Sequence, residues 1–305
     1  MLLDETVDFC DQMYSSFGCN CGCEGGVCNH PSDRCSGSCY NCLYQVHYPD
    51  RWEGKKRKVY DCPKMLYHYV CQYSYLYSTE LLCAFGYEWD FIKGFPYYNI
   101  LSLGCGGCAD LMAFDFLRIK KKNFMPVSYF GVDVNYLWER IHRKIYDYCG
   151  KNDIKFQALY YDAFDYFKYC DLKKCNIIVI SYLISFLYNT NQIIQLKEFT
   201  TNLVENVIKH KEPNMPLLLI INDVNSCNRG RNYFQFFIDA IQRYGLTIRK
   251  SEYKYFDTGN LCDGQKCGSP YNLNSVPFCI PVEIQRKYHA CTSINSTVQL
   301  LLEVS

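Results

Sequence analysis

The spacing of apolar positions divides the chain into stretches of different texture. Through residues 10–42 apolar side chains are scattered among Gly, Ser, Asn and Asp with neither a helical nor a strand period. A segment of that kind cannot bury enough surface to fold alone and needs a staple. Residues 64–89, KMLYHYVCQYSYLYSTELLCAFGYEW, hold few glycines and many aromatics, and predict one or two helices packed on the next domain. From residue 98 the pattern alternates. Strands are predicted at 98–103, 127–134, 155–161, 175–183, 215–223, 246–256 and 296–304, with helices at 109–121, 136–150, 191–210 and 232–245 between them. That alternation predicts an α/β fold with a mostly parallel seven-stranded sheet covered by helices on both faces. The expected organisation is a Cys-rich metal-stapled module over 1–62, a helical linker or cap over 63–97, and one domain over 98–305.

Composition sharpens this in one respect. The hydrophobic fraction of 49% is ample for a core, and a formal net charge of +1 neither favours nor excludes nucleic acid. Basic runs at 51–60 (RWEGKKRKVY) and 118–124 (RIKKKNF) are candidates for phosphate contact, or else a solvated loop and a helix end. The unusual quantity is the 21 cysteines. The opening MLLDETVDFC lacks a charged-then-apolar signal pattern, and apolar runs such as PLLLII (216–221) are far too short to span a membrane. A cytoplasmic protein without a membrane segment is therefore expected, and there a disulfide scaffold is not.

Metal is the better explanation where the thiols cluster. CNCGC (19–23), CNH (28–30), CSGSCYNC (35–42) and DC (61–62) pair thiolates a few residues apart, as tetrahedral zinc requires. The candidate ligands are Cys10, Cys21, Cys28, His30, Cys35, Cys39, Cys42 and Cys62, enough for two zinc ions, with an iron–sulfur cluster as the alternative. The Cys35–Cys39–Cys42 spacing is also that of radical-SAM enzymes. Nothing strand-like precedes Cys35, however, Asn41 rather than an aromatic precedes Cys42, and too few β/α units follow for a barrel. His47, Cys71, Cys83, Cys149 and Cys175 fall in apolar elements and are expected to pack. Cys262 and Cys267 lie in a long polar loop (257–278), a length usually functional or disordered, where they predict half a metal site or the tip of a substrate lid.

The chemistry is expected at NILSLGCGGCADLMAF (99–114), where a strand breaks into glycines before a helix. Gly104 and Gly106 permit a tight turn with no side chain between backbone and ligand, and the helix behind presents free N–H groups. Cys105 and Cys108 are small residues in that turn and candidates for redox sensitivity. The second strand ends in Asp133, placed to accept ribose hydroxyls, and the third is followed by Asp162, placed to meet an adenine amino group. A nucleoside ligand is implied.

In order and spacing, ILSLGCGGCADL, YFGVDVN, YYDAFDY, NIIVISYLISFL and LLLIINDVN resemble the motifs of class I S-adenosylmethionine-dependent methyltransferases over residues 98–305. The resemblance implies a Rossmann-like fold, with Gly104, Cys105 and Gly106 shaping the cofactor turn. It also implies that Asp133 holds the ribose, Asp162 meets the adenine and Asp110 reaches the methionine end. Cys108 stands where the family has a third glycine. A dinucleotide dehydrogenase would want glycine at position 110, which is Asp. Acceptor-side candidates at the ends of the fourth and fifth strands are Ser181, Tyr182, Asn222, Asp223 and Asn225. The Asn-Pro-Pro-aromatic signature of enzymes that methylate exocyclic base amines is missing at 181–184. The function expected is methyl transfer to a macromolecule, RNA ahead of protein. A non-catalytic binding module that keeps the fold is the alternative.

Overall fold

The computed structural model describes residues 1–16, 38–48, 60–167, 175–226, 229–256, 267–273, 275–294 and 297–305. Its centre is an eight-stranded sheet in the order β3-β2-β1-β4-β5-β8-β6-β7. The strands are β1 (Tyr98–Leu103), β2 (Val127–Val132), β3 (Ile154–Leu159), β4 (Ile177–Ser181), β5 (Leu217–Val224), β6 (Ile248–Phe256), β7 (Ser269–Tyr271) and β8 (Thr297–Val304). β1 to β5 are mutually parallel, and β8 inserts antiparallel between β5 and β6. The sheet thus has one strand more than the seven expected. The addition, β7, is three residues long, contains Pro270 and, among the described residues, pairs only with β6. It is too short to show alternation, and an edge strand is where proline is tolerated.

Neighbouring residues on the central strands feed opposite faces, as the pleat requires. Ile100, Ile177, Val179, Leu218 and Ile220 belong to one buried cluster, and Leu101, Leu103, Ile178, Ile180 and Leu219 to the other. β4 and β5 are therefore apolar at nearly every position, the pattern of a strand buried on both sides.

The first face is covered by α1 (Leu2–Ser16), α3 (Pro63–Tyr87), α5 (Ala109–Lys120) and α6 (Glu139–Lys151). The second is covered mainly by α8 (Leu183–Asn189), α9 (Leu196–Asn206) and α10 (Gln235–Arg243). Short helices α2 (Cys39–His47), α4 (Trp89–Ile92), α7 (Ala163–Tyr166) and α11 (Val282–Tyr288) complete the described α-helices.

Both flanks of the segment read as aperiodic are helical. α1 buries Leu3, Val7, Cys10 and Tyr14 along one stripe. Most of that repeat precedes Cys10, so only its end falls among the cysteines. α2 starts from Ser38, whose hydroxyl accepts the Asn41 N–H at 3.1 Å. α3 is one helix of 25 residues, about 37 Å long at the standard rise. It opens with Pro63 at its first turn, where the missing N–H costs nothing. It is buried on most of its circumference and runs between α1, α5 and the sheet. Among the described residues, no helix is long and apolar enough to cross a membrane.

Candidate functional site

β1 lies between β2 and β4, so the chain order reverses at its carboxyl end. This is the switch point at which an open parallel sheet leaves a crevice. The turn after β1 adopts φ +70° at Gly104 and +46° at Gly106, values that side chains resist. Cys108 comes next at φ 60°, the conformation in which a third glycine would be at ease, and it forms the N-cap of α5. The Gly104 and Cys105 N–H groups donate to the Val132 carbonyl at 2.8 and 3.0 Å, fastening the turn to the end of β2.

Asp133 continues that fastening. Its Oδ2 accepts the Gly106 N–H and its Oδ1 the Asn135 N–H, both at 2.9 Å. Burial pushes its carboxyl up, against these two bonds. Asp133 also lines a cavity of about 630 Å³ that reaches Gly104, Gly106, Asp162 and Ser181. At its edge Val134, Tyr136 and Tyr161 are exposed. Asp162 is exposed too, with Oδ1 accepting the Phe164 N–H at 2.9 Å as the cap of α7. Tyr60, Asp61 and Tyr69 form another part of the wall, so residues ahead of the sheet contribute to the site.

Asp110 occupies a smaller recess of about 40 Å³, between α3 and the turn, with Ser74, Ser102 and Gly107. It is 3% exposed. Oδ1 accepts the Tyr129 hydroxyl at 2.8 Å, whereas Oδ2 is buried without a hydrogen-bond partner. Burial first, and then the Cys108 sulfur, push this carboxyl up to about 7. An orphaned buried carboxylate oxygen is costly in an empty site and is relieved by a cationic or N–H donor.

The acceptor-side candidates separate into two groups. Ser181 and Tyr182 line the cavity. Asp223 and Asn225 do not. Asp223 is fully buried, and its Oδ2 accepts the Ile184 and Ser185 N–H groups at 2.9 and 3.2 Å, so that it caps α8. Asn225 Oδ1 accepts Arg231 at 2.6 Å, and its Nδ2 is buried away from both recesses.

Behind Tyr182 lies a network absent from the expectations. Glu80 of α3, fully buried, accepts the Tyr182 hydroxyl at 2.9 and 3.0 Å, Thr297 Oγ1 at 2.8 Å and Asn222 Nδ2 at 3.0 Å. Gln299 Nε2 donates to the Glu80 carbonyl and to Asn222 Oδ1. Burial brings the Glu80 carboxyl up to about 7, although the bonds from Asn222, Thr297 and Tyr182 favour the charge. Glu80 is the single carboxylate in α3. A lone acid amid aromatic and aliphatic residues is the sequence signal that could have found it.

The metal candidates lie in several places. Cys21, Cys28, His30 and Cys35 fall outside the described residues. Cys10 is buried in the apolar seam of α1, close to Cys71, and burial raises its thiol. Cys39 and Cys42 begin α2 and Cys62 caps α3. Burial, then the neighbouring Cys62 and Cys42, push the Cys39 thiol up to about 12. Among the described residues, the three metal-type donors that come together are Cys105, Cys108 and His142, within 4.8 Å of one another. His142 stands on α6 and was not anticipated.

Of the basic runs, residues 51–59 are outside the described set. In the other, Arg118 is buried against Asp115 at 3.0 Å, and Lys120, Lys121 and Lys122 are exposed at the far end of α5 from the glycine turn.

No family model matches the chain, and no curated protein matches it in sequence. Among solved structures, it is similar to a SAM-dependent methyltransferase from Archaeoglobus fulgidus, with 15% identity, a TM-score of 0.40 and coverage of 74% of this chain and 94% of that one. It is also similar to the plantazolicin methyltransferase BpumL in complex with SAH, with 13% identity, a TM-score of 0.41 and 99% of both chains covered. A putative class I S-adenosylmethionine-dependent methyltransferase from Listeria monocytogenes gives 12% identity, a TM-score of 0.47 and coverage of 99% and 87%. At these scores the likenesses carry no weight by themselves, and function must be judged on the geometry of the site.

Proposed function

We propose that the chain is a SAM-dependent methyltransferase acting on a macromolecule, RNA in preference to protein. The observation that most supports this is the pair of carboxylates flanking the glycine turn. Asp133 faces the large cavity beside the turn, and Asp110 holds an unpartnered oxygen in the recess behind it. A ligand carrying ribose hydroxyls at one end and an ammonium at the other satisfies both. S-adenosylmethionine is such a ligand, and when bound it supplies a methyl group already activated by the sulfonium.

The residues of this chain are then left with binding, alignment and exclusion of water. Asp133 accepts the hydroxyls while it keeps the Gly106 N–H in place. Asp110, once ionised, takes the ammonium. The other oxygen of Asp162 accepts the adenine amino group, and Val134, Tyr136 and Tyr161 offer apolar surface to its ring. Tyr69 of α3 and Tyr182 close the inner side, and Ser181 Oγ stands where the acceptor must approach.

RNA is favoured by the order of the chain. The basic run RWEGKKRK (51–58) ends two residues before Tyr60, which with Asp61 and Pro63 lines the cavity. Lysine and arginine next in sequence to these lining residues would hold a phosphate backbone, and aromatic rings within the site would stack on unpaired bases.

Titration calorimetry with S-adenosylmethionine tests the cofactor. Micromolar binding is expected, weakened tenfold or more by Asp133→Ala, about 1.4 kcal/mol. Absence of binding by the native chain overturns the proposal and leaves a binding module. Methyl transfer to RNA is expected to fall steeply as salt rises; a flat response removes the basic run from the proposal.

A further inference from the structure

We propose that Cys105 and Cys108 form a redox-active dithiol across the glycine turn, which a small peroxide oxidises to an intramolecular disulfide. The sequence Cys-Gly-Gly-Cys sits between β1 and α5 of a β-α-β unit, the local setting in which a Cys-x-x-Cys pair at a helix start is redox-active. Both sulfurs lie within 4.8 Å of each other and of a His142 ring nitrogen. Two glycines between the cysteines leave the loop free to close the remaining gap. Room for the Cys105 side chain comes from Gly131 on β2, where an added Cβ would lie 2.8 Å from its sulfur.

Access separates the roles of the two thiols. Cys105 is 8% exposed and Cys108 is fully buried. His142 Nε2 lies 4.0 Å from the Cys105 sulfur and 2.7 Å from the Gly106 carbonyl, and Nδ1 faces the Tyr160 hydroxyl at 2.9 Å. Burial carries the Cys149 and Cys175 thiols up to about 12. Cys105 lines the 40 Å³ recess beside the turn, which has room for hydrogen peroxide and none for a peptide-sized disulfide.

The chemistry closes on two electrons. The Cys105 sulfur, which faces the recess, attacks one peroxide oxygen and the O–O bond breaks. The departing hydroxide takes the Cys105 proton, relayed by His142, whose Nε2 lies 4.0 Å from that sulfur, and leaves as water, with Cys105 as a sulfenic acid. The Cys108 sulfur then attacks the Cys105 sulfur, and the S–S bond forms as the S–O bond breaks. The second hydroxide leaves with the Cys108 proton as water. The dithiol is oxidised to a disulfide, and one peroxide is reduced to two waters.

The test uses the full chain treated with hydrogen peroxide, blocked with N-ethylmaleimide and mapped by peptide mass. The expected result is a peptide containing residues 105–108 lighter by two hydrogens, while Cys149 and Cys175 remain reduced. In Cys108→Ser, oxidation is expected to stop at a Cys105 sulfenic acid that dimedone traps. His142→Gln is expected to slow the reaction tenfold or more. Two results would overturn the proposal: both thiols intact after Met residues have oxidised, or both thiols unreactive until a chelator strips a metal from them. Closure is also expected to weaken S-adenosylmethionine at least tenfold, reversibly with dithiothreitol. That consequence rests on the proposed cofactor. A chain that binds no S-adenosylmethionine in either redox state defeats the cofactor assignment and leaves the mapped disulfide standing.

Discussion

The two halves of the crevice are built on opposite terms. On the β1–β3 side, polar groups are left short of partners: Asp110 Oδ2 has none, and Asp162 uses one oxygen for capping. On the β4–β5 side the polar groups are consumed by one another. Tyr182, Asn222, Thr297 and Gln299 converge on Glu80, and Asp223 is spent on the start of α8. A ligand adds most where bonds are missing, because a buried orphan costs far more than a made bond returns. The first half therefore reads as the binding side and the second as the frame that holds it.

Several substitutions break or sharpen that contrast. The largest effect is expected for Asp223→Ala, which strips the acceptor from two buried N–H groups at the start of α8. It should lower unfolding stability by about 3 kcal/mol in urea titration, and change S-adenosylmethionine affinity less than twofold at a temperature where the variant is folded. A large loss of affinity without loss of stability would move Asp223 to the binding side.

Glu80 comes next. Its folded carboxyl titrates near 7, above the ordinary 4.5, so between those values the native state holds more protons than the unfolded one. Stability contributed by this group therefore falls as pH rises across the window. Urea titrations at pH 5 and pH 8 should show that decline, and Glu80→Gln should flatten it by roughly 2 kcal/mol.

Asp110→Asn is expected to weaken S-adenosylmethionine about tenfold, or 1.4 kcal/mol. Native affinity should rise as pH passes upward through about 7, where Asp110 ionises, and the variant should lose that rise in calorimetry. The smallest effect is expected for Ser181→Ala. Its hydroxyl already accepts from Asn222 at 3.1 Å, and turnover should drop less than threefold, about 0.6 kcal/mol. A hundredfold drop would give the framed side a direct part in the chemistry.

Legibility in the sequence divides along the same line. Strand β1, the glycine turn and Asp133 declare themselves because each combines a local pattern with a residue that the backbone demands. Cys108 even occupies the left-handed position that a glycine would normally mark. The frame is legible only in three dimensions. Glu80 meets partners 142 and 217 residues away, and no local window contains that relation. INDVN looks like site chemistry in one dimension, although Asp223 turns back to cap a helix. His142 lies within an ordinary amphipathic helix, and only the packing of α6 against the turn brings it to the cysteines.

The position of β8 also dictates an order of events during synthesis. β5 and β6 leave the ribosome with a vacancy between them that only a later segment fills. Until Thr297–Val304 emerges, Leu217–Ile221 presents a bare apolar edge, and Glu80 waits for Thr297 and Gln299. Nascent chains stalled short of that strand carry an exposed template for pairing with other chains. Completion of the sheet thus follows the synthesis of every other described strand, and chaperone dependence of the young chain should end when β8 docks.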